Sequence, residues 1–332
     1  MSKKSNLEPG GKNGYMQNIR FRVIDKTAPA VAKYHQTSSS DRKLQSMLDT
    51  FEKYLYQTVF PMQPPENIYH YTTQKGILGI VSRLEMWATQ VHFLNDKNEV
   101  FLTFKLLERE LRKQADKVQS QAMKVVLNDI KRNLSRIDQG HICIASFCEE
   151  KDLLSQWRGY GNQGKGYAIG FNLKELTQIA KRQHFVIWPC VYNPALQMEL
   201  VSYLIDSWCR EFGNNKPVHH EKMLNVINTS VCQLAPIIKD ESFSEEKEWR
   251  LVSSVVSSKS PQFAFREGEF SLIPYYNFQI ADSHNRNSIK TIVVGPSPHM
   301  ELARNSLETF LIANKMPTVE IVCSKIPFRN WK

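Results

Sequence analysis

Four short stretches of this 332-residue chain hold side chains whose types and spacing suit chemistry. The first is Tyr69-His70-Tyr71-Thr72-Thr73, followed by an apolar run. Side chains alternate along a strand, so His70 and Thr72 share one face while Tyr69 and Tyr71 take the other. An imidazole and a hydroxyl pointing the same way each offer donor and acceptor atoms, enough to grip a ribose or orient an amide. The alternative for such a histidine is a satisfied structural role.

The second stretch is Phe243-Ser244-Glu245-Glu246-Lys247-Glu248-Trp249-Arg250-Leu251. Read as a strand, it projects Glu246, Glu248 and Arg250 to one face and Lys247, Trp249 and Leu251 to the other. Two carboxylates about 7 Å apart on one pleat repel each other unless solvent or a ligand uses them. The plain alternative is a solvated face with a weak arginine pair.

The third, Trp157-Arg158-Gly159-Tyr160-Gly161-Asn162-Gln163-Gly164-Lys165-Gly166-Tyr167, formally contains GxGxxG. A dinucleotide fingerprint needs a strand before it and a helix after it, and here the order is reversed. What remains is a glycine-rich loop whose backbone N–H groups can cradle a phosphate beside Arg158 and Lys165, with aromatic rings to stack. A plain connection between elements is the competing reading. In the fourth stretch, from His92 to Glu99, Asp96 and Glu99 have capping-box spacing, and Asn95 can face a site from the same turn. The pair His219-His220 has no cysteine or acid at ligand spacing, and no metal is expected.

These residues must be positioned by an ordinary soluble framework. Lysine and arginine number 43 against 33 acids, a net charge of +10 that favours polyanionic partners without naming a site. Six cysteines show no CxxC pair, so reduced thiols are expected. No apolar run reaches the ~18 to 20 residues of a membrane helix, and MSKKSNLEPG lacks a signal-peptide core, which predicts a cytoplasmic protein away from membranes.

Residues 1–40, with seven basic side chains against Glu8 and Asp25, read as a flexible basic arm in which IRFRVI alternates like a docking strand. Residues 41–66 read as a helix capped by Asp41 and ended by PMQPP. From residue 67 to about 330, strands and helices follow without strict alternation, with helical insertions at about 98–134 and 194–239. This predicts one α+β domain with a mixed, largely antiparallel split sheet.

Taken in order, IYHYT with GILGIVSRLEMWAT, FLNDKNE, CIASFCEE, LLSQWRGYGNQGKGYAIGF, FSEEKEWRL, IKTIVVGP and SKIPFR resemble the bacterial family called domain of unknown function 2971 over about Asn67 to Arg329. More distantly, the His-x-Thr strand leading into an apolar helix and the late Glu-x-Glu strand resemble motifs of the ADP-ribosyltransferase superfamily. That resemblance implies NAD as substrate, held by His70, Tyr71 and Thr72. It also implies Glu248 as the catalytic carboxylate and Glu246 as the group orienting the acceptor. Tyr160 or Trp157 stands in for the middle aromatic, and Arg158, Lys165 or Arg250 is set to meet the pyrophosphate. A carboxylate on the 2′-hydroxyl would stabilise charge that develops only in the transition state.

The leading expectation is therefore transfer of ADP-ribose to a macromolecular acceptor, or hydrolysis of NAD, in a role such as bacterial defence. Two alternatives stand beside it. One is a non-catalytic module that contacts nucleic acid through the basic arm and the 157–167 loop. The other is a hydrolase in which Glu246 or Glu248 acts as general base with His70.

Overall fold

The structure is a computed structural model, and it describes residues 39–94, 99–134, 141–161, 165–213, 220–282 and 287–327. The arm before residue 39, Asn95 and Asp96 of the expected capping box, His219, and loop residues 162–164 lie outside the described residues.

Helix α1 (Ser39–Val59) begins two residues before the expected Asp41. Strand β1 (Asn67–Thr72) then leads through helix α2 (Gln74–Arg83) into strand β2 (Glu85–Gln90). The α2 start is written in the sequence: the Thr73 hydroxyl accepts from the Gly76 N–H at 3.1 Å, and Ile77, Ile80 and Val81 recur on one buried face. Helices α3 (Glu99–Lys117) and α4 (Gln121–Leu134) form the first insertion. Strand β3 (Cys143–Cys148), the short helix α5 (Leu154–Gly159), strand β4 (Tyr167–Asn172), helix α6 (Leu173–Arg182) and strand β5 (Phe185–Pro189) follow.

Helices α7 (Pro194–Gly213) and α8 (His220–Leu234) make the second insertion. It ends in a single turn at Ala235–Ile237 and an extended stretch to Lys239, so helix does not fill the whole span. The chain closes with strands β6 (Glu248–Ser253), β7 (Phe263–Arg266), β8 (Ile273–Gln279) and β9 (Ile289–Val294), helix α9 (Met300–Ala313) and strand β10 (Glu320–Cys323).

The strands form one mixed sheet, in which β9 and β10 pair in parallel and the other ladders are antiparallel. Its centre is β3. Strand β6 lies along one edge of β3 from Ile144 to Cys148, so β1 and β2 must share the other edge. Strand β1 touches that edge at Tyr69↔Cys148, and β2 touches it at Thr89↔Ile144 and Gln90↔Cys143. Beyond these contacts the strands part. Strand β1 joins a wing with β4, β9 and β10, and β2 joins a second wing with β8 and β7.

The register assigns the strand-borne site residues to a face, because directly paired residues point the same way. One face carries Ile68, Phe147, Trp249 and Ile292, which pack with Ile77 of α2, Leu176 of α6 and Leu307 of α9. The opposite face carries Trp188, which packs with the helices of both insertions and α1, while Tyr71, Cys148, Ala168 and Val293 pack with Trp157 of α5. Both faces of β6 are covered, so all six of its residues are buried. That overturns the reading of a solvated acidic face. All six cysteines are unpaired thiols, and no described helix is long and apolar enough to cross a membrane.

Candidate functional site

His70 sits where the sheet divides. Its ring packs edge-on against Phe147, with centroids 5.9 Å apart, and its Nδ1 lies 2.9 Å from the Ser146 carbonyl oxygen. Ser146 occupies the stretch of β3 left between the β1 contact and the β2 contact. A carbonyl only accepts, so Nδ1 carries the hydrogen and donates it. Burial pushes the imidazole pKa down, and the bond to Ser146 opposes that only in part. The neutral ring therefore presents Nε2 as an acceptor. Thr72 shares this face, as alternation requires, and its hydroxyl lies against the first turn of α2: a Cβ at Gly76 would come within 1.9 Å of it.

Glu149 lies beyond the end of β3, and its Oε1 accepts from the Trp249 indole at 2.8 Å. Trp249 is on the His70 face, and Glu149 is two residues along from Phe147, so a carboxylate lies on the histidine's side of the sheet.

The Glu-x-Glu segment is built differently from its sequence reading. Glu241–Glu246 is a run of 3₁₀ turns, Lys247 has a left-handed φ of 42°, and the strand starts only at Glu248. Glu246 is thus off the pleat. It still meets Glu248, because both carboxylates converge on Lys239, whose Nζ donates to Glu246 Oε2 and to Glu248 Oε2, each at 2.5 Å. Arg250 grips Glu248 from the same strand, with Nε at 2.8 Å from Oε1 and Nη2 at 3.0 Å from Oε2, and its Nη1 donates to the Pro236 carbonyl at 2.8 Å. Two cations and two anions balance, which resolves the like-charge conflict without a ligand.

Lys239, Glu248 and Arg250 are 4%, 6% and 3% exposed. Burial alone would raise the Glu248 pKa, but the Arg250 guanidinium and the Lys239 ammonium outweigh it and hold the carboxyl down at about 2. Burial likewise works to lower the Lys239 pKa, and the two carboxylates overcome it and drive it up. Lys239, Tyr192, whose hydroxyl accepts from the Glu248 N–H at 2.9 Å, and the Ser146 carbonyl were not singled out from sequence. The only trace of Lys239's role is its position closing the apolar run LAPII.

The expected site residues do not come together. Glu248 is in register with Cys148, and Cys148 with Tyr69; His70 belongs to the neighbouring row with Phe147 and Trp249. His70 and Glu248 therefore project from opposite faces, two strands apart, which is about 10 Å before the faces are considered. Tyr71 is buried on the Glu248 face, donating its hydroxyl to the Glu150 carbonyl at 2.7 Å and accepting from the Leu153 N–H at 2.9 Å. Trp157 is fully enclosed, 4.7 Å from the Tyr71 ring, with its indole N–H on Asp152 Oδ1 at 2.7 Å. It is core and offers no stacking face. Arg250 is enclosed as well, so its assignment to a pyrophosphate is replaced by the pairing with Glu248. Arg158, Tyr160 and Lys165 are exposed around the glycine-rich loop.

Two glycines of that loop serve close packing. A Cβ on Gly166 would lie 2.2 Å from the Thr72 carbonyl oxygen, and one on Gly161 would lie 2.8 Å from the Trp157 ring. Among the described residues, no three His, Cys, Asp or Glu side chains gather as a metal site.

No curated protein and no solved structure matches the chain. Residues 156–251 run from α5 to β6 and include Trp157, Lys239, Glu246, Glu248 and Arg250 but not His70. They match the model of a protein family of unknown function, DUF2971, over that segment of the chain.

Proposed function

We propose that the chain binds the ribose of NAD or of a related nucleotide at the division of the sheet, through His70, in the manner of an ADP-ribosyltransferase-like protein. Glu248 serves the fold in this reading. The observation that supports it is the bond from His70 Nδ1 to the Ser146 carbonyl. That bond fixes the tautomer and leaves Nε2 as a neutral acceptor suited to a sugar hydroxyl. Glu149 supplies a second acceptor on the same side. If the nicotinamide–ribose bond is cleaved, Glu149 is the carboxylate available to the sugar cation, since both oxygens of Glu248 are occupied by Arg250 and Lys239.

The test is NAD titration followed by calorimetry, with nicotinamide release measured in parallel, on wild type, His70→Asn, Glu149→Gln and Glu248→Gln. Asparagine places an amide N–H near the former Nδ1 and removes Nε2. The expected result is a loss of at least tenfold in affinity for His70→Asn, loss of any release for Glu149→Gln, and retention of binding by folded Glu248→Gln. Absence of NAD binding by wild type, or unchanged binding in His70→Asn, overturns the reading.

A further inference from the structure

The wing formed by β2, β8 and β7 has one face built of polar and aromatic side chains that nothing above uses. Pairing of Trp87 with Asn277, Thr89 with Tyr275 and Ala264 with Tyr275 puts Trp87, Thr89, Tyr275, Asn277 and Arg266 on that face. Trp87 and Tyr275 are stacked with centroids 4.6 Å apart and a tilt of 31°. The pair is asymmetric: Tyr275, on the central strand of the wing, is 7% exposed, whereas Trp87, on β2, is 40% exposed. A large indole left open on a sheet, backed by a buried ring, is a rigid stacking surface.

The polar groups around it are incompletely used. Arg266 reaches across β8 to the Thr89 hydroxyl at 3.4 Å, a long bond, while its Nε is enclosed without a partner. Asn277, directly opposite Trp87, has an enclosed Oδ1 that also lacks one. Enclosed polar atoms are nearly always satisfied in native proteins, so a donor and an acceptor without partners beside an exposed indole mark a face whose polar side chains are not fully used within the chain. Glu85, at the far end of the face, is held by the Gln279 amide at 2.8 Å.

We propose that this face binds single-stranded nucleic acid, with one base stacked on Trp87, its polar edge met by the Asn277 side-chain N–H, and an adjacent phosphate met by the Arg266 guanidinium. Base stacking on sheet-borne aromatic rings combined with a guanidinium is a recurrent solution for single strands. The net charge of +10 favours a polyanion over an uncharged aromatic ligand. The site is separate from His70, which lies on β1 in the other wing, so its fate does not depend on NAD binding.

The experiment is fluorescence anisotropy of a labelled single-stranded RNA 12-mer and the matching DNA with the full chain, over a salt series. Trp87→Ala, Trp87→Phe and Arg266→Gln are compared after circular dichroism confirms their fold. Trp87→Ala should weaken binding about tenfold and Trp87→Phe by much less. Arg266→Gln should lower the slope of log affinity against log salt by about 0.7. Failure of wild type to bind, Trp87→Ala binding within twofold of wild type, equal binding of the duplex form, or equal displacement by poly-glutamate each overturns the proposal.

Discussion

His70 and Glu248 belong to adjacent rows of one sheet and project from opposite faces of it: His70 pairs in line with Phe147 and Trp249, and Glu248 with Cys148 and Tyr69. A catalytic partnership between them would have to act through the sheet itself. Their roles are therefore separable by mutation, one affecting ligand and the other affecting stability.

Replacing Glu248 by glutamine should destabilise the fold by about 3 to 5 kcal/mol, because Lys239 and Arg250 are left buried with only Glu246 to balance them. Urea unfolding measures this directly. A change below about 1 kcal/mol would mean that the cluster is open to water and that Glu248 is free for other work.

The same carboxylate sets an acid limit. Its folded pKa of about 2 is below the unfolded value of 4.5, so its stabilisation is complete above pH 4.5 and is lost as pH falls toward 2. Stability measured from pH 5 to pH 2 should fall in wild type. Glu248→Gln should show a shallower decline over that window.

His70 acts in a higher window. Its folded pKa lies below the unfolded 6.5, so the unfolded chain binds more protons and stability drops as pH falls below 6.5. His70→Asn keeps a donor for the Ser146 carbonyl and removes the titration. Its stability should be flatter than wild type between pH 6.5 and 5, and an unchanged slope would place the titrating group elsewhere.

Gly166→Ala should cost about 1 to 3 kcal/mol, since the new methyl must displace the Thr72 carbonyl or the Gly161 backbone. Gly159→Ala is the control, because nothing lies within 4 Å of its added Cβ. Thermal unfolding should show a lower midpoint for Gly166→Ala and no loss for Gly159→Ala, and equal midpoints would remove the packing role.

Much of the framework is legible in the sequence. The apolar period of GILGIVSRL predicts α2, LKELTQIAKR is a helix over Leu173–Arg182, and MELARNSLETFLIA is a helix over Met300–Ala313. The family resemblance and the α+β class were also available, as was the alternation that puts His70 and Thr72 on one face. These are local properties, fixed by side-chain period and capping within about ten residues.

Partnership across the sheet is a different kind of information. Which face of β6 meets which face of β1 depends on a shared neighbour, β3, about 75 residues from one and 100 from the other, and a shift of one residue in either register would put His70 and Glu248 on the same side. Lys239 reached the two glutamates because the segment after α8 turns back along β5 and β6, a path that no periodicity encodes. The sequence by itself determined the elements and the alternation within each strand. Tertiary structure alone decided that the glutamate pair is neutralised from within, that Trp157 is core, and that Trp87 is left facing solvent, because burial and charge pairing are set by residues far apart in the chain.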